Sequence, residues 1–137
     1  KRLPTEWEWE YAAHSKEWHE DKSVDDPYPW GDDPPKNANI CWKAQEEGTC
    51  AVGENTQDTS DFGLKDMAGN VREWTESAST GAADAKSSAL RSVRGGSWRS
   101  SKEDELKISK RASKDQTKAD VTLGFRCAQD VKASTKK

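Results

Sequence analysis

The stretch DMAGNVREW, Asp66 to Trp74, constrains this chain more than any other. It places two carboxylates, Asp66 and Glu73, on either side of a Gly69-Asn70 step and ends on a large aromatic. Gly and Asn tolerate the left-handed backbone that tight turns need, so the chain folds back on itself there. A loop closed in this way gathers side-chain and carbonyl oxygens. A hard cation such as calcium needs about six to eight of them at once. The same residues also describe a plain turn beside two solvated carboxylates, and spacing alone leaves both readings open.

The core around such a loop has to be unusual. Val, Ile, Leu and Phe fill 15 of 137 positions, a poverty shared with disordered chains. Two facts oppose disorder: the net charge is only -3, and seven Trp are present. Each Trp can bury roughly 150–250 Å². The expectation is one domain, built on a few large aromatics joined by turns, with much irregular backbone. The near-balanced charge excludes a strongly basic nucleic-acid surface. No apolar run approaches the roughly 20 residues of a membrane-spanning helix. No signal peptide is visible, yet the chain opens at Lys1 rather than Met, so a processed or excised piece is expected.

Cys41 and Cys50 bracket CWKAQEEGTC, with no CxxC spacing and no His nearby. A zinc site is therefore disfavoured and a local disulfide expected, worth roughly 2–3 kcal/mol by loop closure. Such a bond points to an oxidising, extracytoplasmic compartment: secreted, periplasmic or surface-attached. Cys127, in GFRCA, reads as a buried small hydrophobe rather than a nucleophile.

The opening KRLPTEWEWEYAAHSKEW reads as a helix, with Thr5 and Glu8 at capping-box spacing. Trp9, Ala12 and Ala13 give it an inner face, and Trp7 with Tyr11 forms a second apolar row. Residues 15–36 read as a charged, Pro-rich loop with solvated Asp and Lys side chains. Phe62 and Leu64 are expected to re-enter the core. Glu76 to Lys86 reads as a mobile loop, Leu90 to Val93 as a short strand, Leu106 and Ile108 as strand-spaced, and VTLGFRCA as a closing strand. The tail from 131 to 137 is expected to fray.

RLPTEWEWEYAA, YPWGDD, ANI, FGLKDMAGNVREW, RGGSW and GFRCA, in this order, resemble the formylglycine-generating enzyme, or sulfatase-modifying factor, family. The resemblance implies an α+β, variant C-type-lectin-like fold over residues 1–130, with low regular secondary structure, one or two helices and short antiparallel strands. It also implies that this chain matches the carboxy-terminal part of the family's domain, the rest coming from a further segment or chain unless the domain is reduced. In the oxidase members two cysteines shortly after RGGS bind copper. Those positions fall here at Ser100 and about Glu105, so no catalytic residue is assigned. Without thiolates there is no soft copper(I) site, and neither copper nor iron is expected. The family's aromatic between Val71 and Glu73 is Arg72 here, and its Asn before LGFRC is Thr122. With Ser97 and Trp98 these two form the expected pocket rim.

Calcium carries over better. The resemblance implies one ion held by the Asp66 side chain, the Gly69 and Val71 carbonyls and the Glu73 side chain. A second family ion uses the positions of Asn39 and Ile40 plus an acidic loop that CWKAQEEGTC replaces here, with Glu46 or Glu47 as substitutes. The family's disulfide to the last Cys needs a partner at Ala13, which leaves Cys127 as a free thiol. His14 and His19 are poorly spaced for one metal and read as surface residues. Arg94 and Arg126 near Ser97 are read as bracing acidic residues such as Asp66 or Glu10, in preference to forming an anion pocket.

Three functions compete. The first is a non-catalytic, calcium-stabilised binding module presenting residues 99–120 to a protein or small ligand. The second is a divergent oxidoreductase with metal ligands from a missing segment or partner. The third is a structural subunit of a surface assembly that packs on the Trp7/Tyr11 row.

Overall fold

The structure is a computed structural model and describes residues 1–36, 39–44, 47–79 and 89–131. The expected opening helix is two: α1 (Glu6–Ala13) and α2 (Lys16–Glu20). The capping box forms as spaced, with Thr5 Oγ1 accepting from the Glu8 amide at 3.2 Å and Glu8 Oε2 accepting from the Thr5 amide at 2.8 Å. The break follows from Ser15, whose hydroxyl caps α2, and from Asp26, which binds the His14 ring and the Ser15 amide. Asp26 and His14 are thus buried, where a solvated Asp and a surface His were expected.

Four strands make one sheet in the order β3-β2-β1-β4: β1 (Arg72–Ala78), β2 (Leu90–Arg94), β3 (Ala112–Asp115) and β4 (Leu123–Gly124). β2 runs antiparallel to both β1 and β3, whereas β1 and β4 run parallel, so the sheet is mixed rather than antiparallel throughout. A register shift between Trp74 and Ala78 marks a bulge. The expected long closing strand is only β4 plus an isolated bridge between Arg2 and Ala128. Asp120 binds the Thr122 amide and hydroxyl just before it, and Arg126 turns inward just after it. Leu106 and Ile108 are not strand residues. A short 3-10 turn, Glu103–Leu106, leads into them, and both side chains are buried.

Two aromatic-led clusters replace an aliphatic core. Tyr28, Ile40, Trp42, Ala68 and Leu106 form one, with Trp30 stacked on Tyr28 at its edge. Trp9, Ala13, Met67 and Ile108 form the other, joined by Leu64. Trp7 and Tyr11 stay on the outer face, 65% and 49% exposed. Phe62 is also exposed, because it lies against Tyr11 and His19 rather than under the loop. The core's centre is Met67-Ala68, inside the DMAGN loop itself.

Of the segment read as a mobile loop, Glu76–Ala78 belongs to β1, and residues 80–86 lie outside the described residues. Most of the expected tail, 132–137, lies outside them too. No helix among the described residues is long and apolar enough to cross a membrane.

Candidate functional site

The 66–71 loop is a hub through its backbone. Asp66 and Asn70 both take positive φ, 54° and 49°, which their short polar side chains tolerate better than most. Gly69, at φ 90°, has no alternative: a Cβ there would lie 2.5 Å from the Cys41 carbonyl oxygen. The Gly69 amide donates to Gly95 O at 2.6 Å, the Asn70 amide to Cys41 O at 2.9 Å, and Asn70 O accepts from the Trp98 amide at 2.8 Å. Two separate segments, one at Cys41 and one from Gly95 to Trp98, therefore meet on this loop.

The Cys41–Cys50 disulfide forms, with Cα atoms 6.0 Å apart. It closes a segment that also grips the other side of the site. Lys43 and Ala44, both at positive φ, donate their amides to Ser100 O at 2.8 Å and Trp98 O at 2.6 Å.

The implied calcium ligands divide into two groups. Asp66 Oδ2 accepts from the Gly53 amide at 2.6 Å, but Asp66 Oδ1 is buried with no donor among the described residues, and so is Asn70 Oδ1. Buried orphan acceptors are costly unless paired, and a cation is one remedy. Glu73 is the opposite case. Its Oε2 accepts from Trp9 Nε1 at 2.7 Å and Arg126 Nε at 2.6 Å, and its Oε1 accepts from Arg126 Nη2 at 2.8 Å. Arg126 Nη2 also donates to the Lys65 and Asp66 carbonyls. Asp66 thus keeps one buried oxygen free of donors among the described residues, whereas the Glu73 side chain is already neutralised by a guanidinium.

Asn39 lines a polar bowl of about 520 Å³ with Cys50, Glu54 and Asn55, while Ile40 is buried against Trp42. Glu47 is exposed, and Glu46 lies outside the described residues. Among the described residues no three His, Cys, Asp or Glu side chains are grouped to hold a metal.

Behind the loop sits a residue that the sequence reading missed. Asp58 is buried and accepts from the Met67 and Ala68 amides at 3.1 and 2.8 Å. Burial pushes its carboxyl up to about 8, against the two amides that favour the charged form. Its only signal in the sequence is an acid a few residues before FGL, among other polar residues.

The two copper-cysteine positions come together around Gly96, which sits at φ 68°. A Cβ there would lie 3.3 Å from Ser100 Oγ and 2.7 Å from Glu105 O. Both side chains are engaged internally. Ser100 is buried and its hydroxyl accepts from the Ser97 amide at 3.1 Å. Glu105 Oε2 accepts from the Ser101 and Lys102 amides at 2.9 and 3.2 Å, and Glu105 Oε1 accepts from Arg72 Nη2 at 3.2 Å. Arg72 and Glu105, two departures from the family pattern, are thus one ion pair.

That pair opens onto a cleft of about 170 Å³, which is also lined by Val93, Arg94, Gly95, Gly96, Lys110, Arg111 and Ala112. Of the four expected rim residues, Arg72 lines this cleft. Ser97 is buried beneath the turn, Trp98 donates Nε1 to Val121 O, and Thr122 is bound to Asp120. Arg94 is held by Glu6 and Glu10, and Arg126 by Glu73, so both arginines brace acids. Cys127 is free, but exposed rather than buried. His14 and His19 are engaged separately, on Asp26 and on the Tyr11 carbonyl.

Comparison with known proteins gives the family and the fold. Residues 1–131 match the sulfatase-modifying factor enzyme 1-like domain. The chain is 32% identical over 145 residues to a Bos taurus protein named inactive C-alpha-formylglycine-generating enzyme 2, covering 93% of this chain and 44% of that one. It is 34% identical over 144 residues to the serine/threonine-protein kinase Pkn1 of Chlamydia trachomatis serovar L2, covering 96% of this chain and 22% of the kinase. The solved Treponema denticola variable protein 1 superposes with a TM-score of 0.69 at 28% identity, over 90% of this chain and 45% of that one. The chain therefore spans less than half the length of these relatives. On the match across residues 1–131 it belongs to the sulfatase-modifying factor family, the formylglycine-generating-enzyme-like domains.

Proposed function

We propose that this chain is a non-catalytic binding module of its family, stabilised by calcium at the 66–73 loop and presenting residues 99–120 to a partner. The observation that carries the reading is the pair of positions around Gly96. A buried hydroxyl and an amide-capped carboxylate stand there, and neither supplies the soft thiolate that copper(I) selects. The name of the bovine relative, inactive in its own right, points the same way. Calcium would draw on Asp66 Oδ1 and the Gly69 and Val71 carbonyls, with Glu73 contributing only if it releases Arg126. The disulfide favours an oxidising, extracytoplasmic setting.

The test is made on the purified chain and on the full-length protein. Incubated with copper(I) and a cysteine-containing peptide, both should leave the thiol unconverted. Calcium should raise the melting temperature of the wild type and have no effect on Asp66→Asn, which keeps a residue tolerant of positive φ. Aldehyde formation at the peptide cysteine would overturn the non-catalytic reading. A flat melting temperature across a calcium titration would remove the metal.

A further inference from the structure

We infer that the cleft between the Gly95-Gly96 end of β2 and the start of β3 takes the carboxylate of an acidic side chain on a partner polypeptide. The inference rests on the binding-module reading and gives it a ligand class. Most of the cleft wall is apolar, and its smaller polar part carries more donors than acceptors. Four cations line it, Arg72, Arg94, Lys110 and Arg111, against one carboxylate, Glu105.

The acceptors nearby are already taken. Glu105 accepts from two amides and from Arg72. Glu6 Oε1 accepts from Arg94 Nη1 at 2.9 Å and Ser92 Oγ at 2.7 Å, and lies 3.1 Å from Arg111 Nε. Glu10 Oε2 accepts from Arg94 Nη2 at 2.6 Å.

Of the four cations, Arg94 is held by Glu6, Glu10 and the Ile108 carbonyl and Lys110 by Asp104, whereas Arg72 and Arg111 are less committed. Among the described residues Arg72 has one side-chain partner, at 3.2 Å. Arg111 is half exposed and its Nη2 stands 3.8 Å from Glu10, beyond hydrogen-bond distance. Arg94 Nε is buried with no partner among the described residues. A guanidinium carries about five N–H groups in a fork that matches a carboxylate, so Arg72 and Arg111 keep donors for an incoming acceptor.

Size and charge narrow the ligand. At about 170 Å³ the cleft is smaller than the roughly 300–1,000 Å³ of drug-sized sites, so it accepts one side chain rather than a cofactor. Val93 and Ala112 offer apolar contact for a short methylene stem. Glu6 and Glu10 on Arg94, Asp104 on Lys110 and Glu105 on Arg72 together balance the four cations. Attraction is therefore local hydrogen bonding rather than a long-range field, and a singly charged planar carboxylate suits it better than a phosphate dianion facing those acids.

Isotope-labelled protein, titrated with N-acetyl-glutamate N-methylamide, its glutamine counterpart and inorganic phosphate, tests this by amide chemical shifts. Saturable shifts at Gly95, Gly96, Arg111 and Ala112 are expected with the glutamate probe, and about tenfold weaker binding with the glutamine one. Arg72→Gln and Arg111→Gln should each abolish the response, while Arg111→Lys, which keeps charge and loses the fork, weakens it severalfold. A single cooperative melting transition and a wild-type-like spectrum away from the cleft show that each variant is folded. An equal response to glutamine, no response, a response indifferent to the arginine variants, or a stronger response to phosphate overturns the inference. If a partner binds with shifts mapping elsewhere, this cleft is excluded while the module reading stands. Conversion of a cysteine peptide would instead defeat the module reading itself.

Discussion

Replacing Arg94 by methionine removes the guanidinium that fastens α1 to the sheet. Its side chain is fully buried and reaches Glu6 at 2.9 Å, Glu10 at 2.6 Å and the Ile108 carbonyl at 2.6 Å. Methionine fills much of the same volume, so the loss is electrostatic rather than a cavity. Removing one partner of a buried ion pair costs about 3–5 kcal/mol, because the charge left behind is uncompensated. Here Arg111, 3.1 Å from Glu6 and half exposed, partly compensates, which places the expected cost near the lower bound, about 3 kcal/mol. For a chain of this length that corresponds to about 10 °C in melting temperature. Chemical denaturation of the wild type, Arg94→Met, Glu6→Gln and the double variant measures it. The double variant should lose clearly less than the sum of the two singles, since one of the two orphaned acids is gone. Loss below about 1 kcal/mol for Arg94→Met, or additive losses, would show that α1 is held by the Trp9–Met67–Ile108 packing alone.

Reducing the Cys41–Cys50 bond should lower stability by roughly 2.5–3 kcal/mol by loop closure, and amide exchange should rise at Lys43 and Ala44, which donate to the Ser100 and Trp98 carbonyls. Unchanged exchange at these two amides would refute that coupling. Combining Ser100→Cys with Glu105→Cys should create copper(I) uptake measurable against a chromophoric chelator, at the cost of the Ser101 and Lys102 amide bonds; no uptake would show that the two positions do not converge. Acid titration should expose Glu8, whose carboxyl the Arg2 guanidinium and the Thr5 amide hold down at about 2, from an ordinary 4.5. A carboxyl lowered by folding contributes stability above its unfolded value, and that contribution fades as pH falls from about 4.5 toward about 2. Glu8→Gln should flatten this part of the stability curve, and an unchanged acid limb would refute the assignment.

What was legible from the residues was local or carried by motif. Thr5 and Glu8 sit within one turn of each other, so their capping needs nothing from the rest of the chain. Cys41 and Cys50 pair across a short separation for the same reason. The misreadings arose where a distant group decides. Asp26 ends α1 at His14 and buries a histidine that its own neighbours mark as exposed. Arg126 curls out of GFRCA toward Glu73 and so truncates a strand that looked continuous. Leu106 and Ile108 show alternating spacing, yet the turn before them is set by Glu105 accepting from Ser101 and Lys102. Asp58 gave no warning at all, since nothing local distinguishes a buried acid from the solvated ones beside it.

The departures at positions 72, 100 and 105 are separate oddities when aligned by motif, and the fold makes them one arrangement. A carboxylate at 105 beside the buried Ser97–Ser100 turn would be unfavourable without partners; the Ser101 and Lys102 amides and Arg72 supply them. Arg72, in turn, needs a carboxylate where an aromatic would have packed. The two replacements therefore support each other. Exchanging both should cost less than the sum of the two single exchanges, which a double-mutant cycle of Arg72→Phe and Glu105→Cys reads as a coupling of about 0.5–1.5 kcal/mol. A coupling indistinguishable from zero would mean that the 3.2 Å contact carries no energy, and that the cleft's donors are set by Lys110 and Arg111 instead.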